Sequence, residues 1–231
     1  MGIFRGPDIV RDGLILNLDA KSSRSYPGSG STWYDLSGNG KHFTFGTGIS
    51  WNAAGYFTNT GAGVFTGPAS NTFGFNSSNE NYIEVYAQVI SATGNVFFDF
   101  QATAMDGGDN RAVFSHLYYS NGNTYYDIGG CCGVTQRISY ANDTDLTAGV
   151  RHFSWRTRTN TTPNRQMFKN LVSQVDSSTN STGMSTWNLN TTAKIANAWN
   201  GNLYVFRAYN RPLTDDEMLK NFNATRKRFG L

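Results

Sequence analysis

The sequence predicts an all-β fold, a two-sheet antiparallel sandwich closed by a short C-terminal α-helix. Three observations carry this expectation. Apolar and polar residues alternate with period two along many short runs. Gly, Asn, Ser and Pro punctuate those runs at close spacing. One helix stands out at the end, with a start signal at Thr214. A chain of 231 residues is an ordinary length for a single β-sandwich. It is long enough to bury a core without disulfides or metals.

The first strand is expected from Gly13, with Leu14, Leu16 and Leu18 on one face and Ile15, Asn17 and Asp19 on the other. A turn-rich loop follows, broken at Tyr26-Pro27-Gly28 and Ser37-Gly38-Asn39-Gly40. Residues 42–75 read as short strands around Trp51, Phe57, Phe65 and Phe73. In residues 82–90, Ile83, Val85, Ala87 and Val89 share the core face, opposite Tyr82, Glu84, Tyr86 and Gln88. Val96, Phe98 and Phe100 continue the pattern across a Thr93-Gly94-Asn95 turn. Residues 112–119 and 124–128 form a hairpin over Ser120-Asn121-Gly122-Asn123, because Asn-Gly supplies the positive φ that tight hairpins need.

Further strands are expected at 134–140, 151–159 (Phe153 and Trp155 inward), 165–176 (two strands meeting at Lys169-Asn170), 193–199 and 203–209. Thr214-Asp215-Asp216-Glu217 is a capping box opening a helix over 214–228. Acidic residues occupy its first turn and Arg226, Lys227 and Arg228 its last, each where the helix dipole favours that charge. Met218, Leu219 and Phe222 make its packing stripe. The domain reading is an N-terminal arm, residues 1–12, and one sandwich, residues 13–231. The arm offers Ile3, Phe4, Ile9 and Val10 for docking, outside the expected core.

The net charge of +3 is scattered, without the dense basic stripe of a nucleic-acid binder. No run approaches the roughly 20 apolar residues of a membrane helix. Residues 1–12 lack an apolar signal-peptide core, so synthesis in a cytoplasm is expected. Cys131 and Cys132 are adjacent, and neighbouring Cα atoms lie closer than an ordinary disulfide wants, so two free thiols are expected.

The order of these motifs resembles the concanavalin A-like (laminin G-like) jelly-roll domains. The carrying residues are the opening strand to Asp19, the Asp35-Leu36-Ser37-Gly38-Asn39-Gly40 turn, the strand 152–156, and the exit Tyr209-Asn210-Arg211-Pro212-Leu213-Thr214. Phe168-Lys169-Asn170-Leu171-Val172 stands where such domains usually carry a Val-Asn-Gly turn, and the Gly is missing. The loop Tyr26-Pro27-Gly28-Ser29-Gly30-Ser31-Thr32-Trp33 and the ending Asn223-Ala224-Thr225-Arg226-Lys227-Arg228-Phe229-Gly230 resemble structural proteins of tailed bacteriophages. The resemblance implies a non-enzymatic virion protein, a capsid decoration or a head or tail appendage. Its implied partners are other virion proteins, copies of itself in a symmetric oligomer, and host surface glycans. A stand-alone lectin module is the alternative, and a glycoside hydrolase of the same fold a more distant one.

Retaining and inverting glycosidases need two carboxylates flanking the scissile bond. The chain has only three glutamates, Glu80, Glu84 and Glu217, and no Glu-x-Asp-x-x-Glu run. No Gly-x-Ser-x-Gly elbow is present, and His42, His116 and His152 sit on separate strands. Catalysis is therefore not expected. Sugars stack on aromatic rings, and Tyr118, Tyr119, Tyr125 and Tyr126 cluster across the expected hairpin, with one of each pair outward. Laminin G-like domains often hold calcium at one rim, so the resemblance admits calcium as the one cofactor, with Asp143 and Asp145 as its ligands.

Overall fold

The computed structural model describes residues 8–75, 80–101, 111–130, 136–144, 146, 149–159, 161–177 and 191–231. Among them the strands are β1 (Leu14–Asp19), β2 (Thr32–Trp33), β3 (Phe43–Phe45), β4 (Ile49–Asn52), β5 (Tyr56–Thr60), β6 (Phe65–Ala69), β7 (Asn81–Val89) and β8 (Val96–Gln101). There follow β9 (Arg111–His116), β10 (Asn123–Ile128), β11 (Arg137–Ala141), β12 (Arg151–Thr157), β13 (Arg165–Lys169), β14 (Val172–Ser177), β15 (Thr192–Asn197) and β16 (Asn200–Tyr209). A helix, α1 (Asp215–Thr225), and a 3-10 turn, Arg226–Phe229, close the chain.

The strands pair antiparallel in two sheets of eight. The first runs β14-β13-β12-β7-β16-β5-β4, and the second β11-β10-β9-β8-β15-β6-β3-β2. The long β16 serves two partners along one edge: residues 200–203 pair with β5, and the rest with β1. The all-β sandwich with one C-terminal helix is thus the architecture. The expected turn between residues 90 and 96 does not make a hairpin, however. β7 lies in the first sheet and β8 in the second, so this connection crosses the sandwich. Two apolar faces close in sequence can pack against each other as readily as pair side by side.

Aromatic side chains fill the space between the sheets. Phe98 of the second sheet meets Trp155 of the first at 4.9 Å and 88°, an edge-to-face contact. Trp33, Phe57 and Phe65 form a second knot, with centroids 4.9–5.2 Å apart. The loop before β2 feeds this core. Tyr26 packs on Phe57 at 4.9 Å while its hydroxyl donates to the Gly30 carbonyl at 2.9 Å, and Gly28 and Gly30 take φ of +93° and +87° to allow the bend. The Asp35 turn is a staple to β1. Asp35 Oδ1 accepts from the amides of Asn17 at 2.9 Å and Ser37 at 2.8 Å, and Asn39 Nδ2 donates to the Leu14 carbonyl at 3.0 Å. The Tyr26 loop and the Asp35 turn, each part of a resemblance, are therefore devices of folding.

The helix begins as the capping box requires. The Glu217 amide donates to Thr214 Oγ1 at 3.2 Å, and the Thr214 amide donates back to Glu217 Oε2 at 2.9 Å, a cap worth about 1 kcal/mol. Arg211 grips the same carboxylate with two hydrogen bonds and, outweighing partial burial, holds Glu217 down at about 2. Three features differ from expectation. The α-helix stops at Thr225, so Arg226, Lys227 and Arg228 lie in the 3-10 turn beyond it; Arg228 there binds Asp19 at 2.7 and 3.0 Å. The packing stripe is Met218, Asn221 and Thr225, and Leu219 is 47% exposed. Finally, Val10 is 6% exposed, not free for docking.

Val10 packs with Leu14, Tyr82, Phe168, Tyr209, Leu213 and Met218, and Ile9 lies against this cluster. The Val10 amide donates to Asn221 Oδ1 at 2.8 Å, and the Tyr209 hydroxyl donates to the Val10 carbonyl at 3.1 Å. A segment that finds both an apolar niche and partners for its peptide groups is bound as part of the fold. Ile3 and Phe4 lie outside the described residues, as do Cys131 and Cys132.

Candidate functional site

The alternation of β9 and β10 decides which tyrosines can meet a ligand. Tyr126 pairs with Ser115 on the inner face and is fully buried. Its hydroxyl donates to Asn81 Oδ1 at 2.7 Å and lies 3.0 Å from Thr157 Oγ1; burial pushes it well above the usual phenol value. Tyr118 is 1% exposed and adopts φ +56°, rare for a bulky residue. Its hydroxyl bonds Asp143 and accepts from Arg151 Nη1 at 2.7 Å. Burial, then the Asp143 bond, raises its proton affinity. The quartet of tyrosines therefore reduces to the outward pair, Tyr119 and Tyr125.

That pair is built into a polar-aromatic patch on the outer face of the second sheet. The Tyr119 and Tyr125 rings lie 5.8 Å apart at 79°. His116, directly across the ladder from Tyr125, puts its ring 4.7 Å from Tyr119. Burial lowers the His116 pKa against the pull of the Asn95 carbonyl, which meets Nδ1 at 2.9 Å, favouring the neutral ring. The Arg137 guanidinium covers Tyr125 at 4.4 Å, and Asn121 Nδ2 donates to the Tyr125 hydroxyl at 2.6 Å. Beneath them Asp127, fully buried, takes two bonds from Arg137 at 2.6 Å and one from Arg111 at 2.9 Å.

Two guanidinium groups thus share one carboxylate, which fixes the planar Arg137. The patch offers ring faces, amide donors and a locked cation, the vocabulary of sugar recognition. His116, Arg111, Asp127, Asn121 and Arg137 are not among the residues expected from the sequence. Their signal was the register: with the Asn-Gly turn placed, Tyr125 falls opposite His116 and Asp127 falls opposite Arg137 on the next strand.

Asp143 does not fit a calcium cradle. Its carboxylate meets Lys169 Nζ at 2.5 Å and Arg151 Nη1 at 3.0 Å as well as Tyr118, so cations and a hydroxyl occupy oxygens that a calcium ion would need. Partial burial opposes ionisation there, but the Lys169, Tyr118 and Arg151 contacts outweigh it and hold the carboxyl below its ordinary value. Asp145 lies outside the described residues.

The glutamates are also committed. The face of β7 opposite the core, which carries Glu84, is roofed by α1. Glu84 is fully buried and takes Arg207 Nη1 at 2.7 Å and Asn221 Nδ2 at 3.2 Å, with His152 Nε2 at 3.4 Å. Glu80 accepts from the amide and hydroxyl of Thr159 at 3.1 and 2.6 Å.

No protein-family model and no curated protein matches the sequence. Solved structures do match in fold. The chain is similar to the Trypanosoma rangeli sialidase in complex with sialic acid, at 11% identity and a TM-score of 0.66 over 94% of this chain and 34% of that one. It is similar to the binding domain of botulinum neurotoxin DC, solved with rat synaptotagmin II, at 14% identity and a TM-score of 0.66 over 94% of this chain and 52% of that one. The binding domain of Paraclostridial Mosquitocidal Protein 1 matches at 17% identity and a TM-score of 0.62, over 92% and 53%. The chain spans about a third of the sialidase and about half of the toxin structures. At these identities the likeness is one of fold, and the fold is a jelly-roll-like sandwich of two antiparallel sheets.

Proposed function

We propose that this chain is a non-catalytic glycan-binding module that decorates a bacteriophage particle, on the capsid or on a head or tail appendage. The observation that carries the glycan reading is the outward Tyr119–Tyr125 pair, with Arg137 locked over one ring and Asn121 on its hydroxyl. The chain is also similar in fold to about a third of a sialidase solved with sialic acid and to about half of toxin binding-domain structures. The non-catalytic reading is supported by Glu84, whose carboxylate is spent on Arg207 beneath a helix. Host surface glycans are the ligands that this reading assigns.

Replacing Tyr125 or Tyr119 with alanine removes a stacking surface and should weaken glycan affinity about tenfold, with the melting temperature little changed. Titration calorimetry measures it; equal affinity in both variants and the wild type rejects the site. The virion placement, the contacts with other virion proteins and self-association rest on the resemblance of the Tyr26–Trp33 loop and the chain ending to phage structural proteins. Mass spectrometry of purified particles should find the chain in stoichiometric copy number, and its absence there leaves the stand-alone lectin.

A further inference from the structure

The helix and its trailing turn cover only part of the first sheet's outer face. Along β5, β16 and β7, Phe57, Leu203 and Ala87 point into the core, so Thr58, Asn202 and Gln88 stand together on the opposite face. They form a directed row. Thr58 Oγ1 donates to Asn202 Oδ1 at 2.8 Å, and Asn202 Nδ2 donates to Gln88 Oε1 at 3.0 Å. The row ends on the Gln88 amide donors, which meet no acceptor among the described residues. Next to it on the same face, the Tyr56 and Tyr204 rings lie 5.0 Å apart, both half-buried, with hydroxyls that meet no partner among the described residues. Phe229 of the C-terminal turn stands 5.1 Å from Tyr204 and walls one side.

We infer that this face is a second saccharide site, taking a neutral oligosaccharide across β5, β16 and β7. It extends the glycan reading to a separate surface and rests on different residues. Three strands span roughly 10 Å, about two sugar rings. Sugar hydroxyls both donate and accept, matching a row that offers Thr58 lone pairs at one end and Gln88 hydrogens at the other. The paired tyrosines supply rings for stacking. Charge selects the class. The row and the ring pair carry no ionised side chain, and Arg228 at the border is neutralised by two bonds to Asp19. The row and the ring pair themselves therefore give a sulfated or sialylated glycan no cation to bind.

The test is a chemical-shift titration of the nitrogen-15-labelled chain with neutral glucose, galactose and N-acetylglucosamine oligosaccharides, beside a sialylated and a sulfated one. A neutral member should shift the amides of Thr58, Asn202 and Tyr204, and should do so equally in the Tyr125→Ala variant. Asn202→Ala and Tyr204→Ala should each weaken that binding about tenfold, and a melting curve checks that each variant is folded. Shifts confined to β9 and β10, none with any neutral member at millimolar concentration, tighter binding of the acidic sugars at this face, or unchanged affinity in Asn202→Ala would each overturn the inference. Loss of the Tyr119–Tyr125 site alone leaves it standing.

Discussion

Replacing Glu84 with alanine should destabilise the chain by about 3–5 kcal/mol, because it strands a buried cation. Arg207 lies beneath α1 with Nη1 on Glu84 at 2.7 Å, Nε on Asn17 Oδ1 at 3.2 Å and Nη2 on Thr225 Oγ1 at 3.1 Å. Without the carboxylate, the guanidinium keeps its bonds to Asn17 and Thr225 but loses the bond to Glu84 and the charge that compensates it. Asn221 and the Tyr82 hydroxyl lose an acceptor as well. The double replacement Glu84→Leu with Arg207→Met removes both charges and should recover most of the loss. Urea unfolding of the three chains decides it, and a Glu84→Ala variant as stable as wild type would reject the buried pair as a determinant of the fold.

The same carboxylate gives the pH dependence its sign. Burial alone would raise the Glu84 pKa, but Arg207 and His152 outweigh it, so the folded value lies below the ordinary one. A carboxyl depressed on folding contributes stability that is present above the unfolded value, about 4.3, and is lost as pH falls through the folded value. Glu217, held at about 2 by Arg211, acts in the same direction, as a smaller contribution because it is partly solvated. Stability should therefore fall with acidification below about pH 4, and less steeply in Glu84→Gln.

Deleting residues 1–12 should cost about 4 kcal/mol more than deleting residues 1–7. The larger deletion removes the Val10 side chain from its cluster, worth roughly 2 kcal/mol. It also leaves Asn221 Oδ1 and the Tyr209 hydroxyl without the peptide groups of Val10, about 1 kcal/mol or more each. Those groups sit where α1 meets β16, so the loss should appear as looser docking of the helix. The pair of deletions also separates folding from assembly: if the segment before Asp8 docks the chain on a particle, the shorter deletion blocks incorporation while the domain stays folded. A twelve-residue deletion that melts like wild type would contradict the described packing of Val10.

What the sequence made legible was local. The β9–β10 hairpin follows from Asn121-Gly122, the core faces of β7 and β12 from their alternation, and the helix start from the Thr214 capping box. What it hid was the partner of each second face. Alternation placed Tyr82, Glu84 and Tyr86 away from the sandwich core, but whether that face meets water depends on a helix more than a hundred residues later, and α1 covers it. Val10 reads as an arm residue for the same reason, since its niche is assembled from β1, β7, β13, β16 and α1. The candidate site was half legible. The tyrosines were found as a cluster, but Arg137 and Asp127 come together only through cross-strand register, and Tyr118 is drawn inward by Arg151 and Asp143.

The glycan reading is tested most directly by probing a broad glycan array with the wild-type chain and with Tyr125→Ala. The expected result is reproducible binding to a defined set of glycans, reduced in the variant. No signal above background at high protein concentration would contradict it.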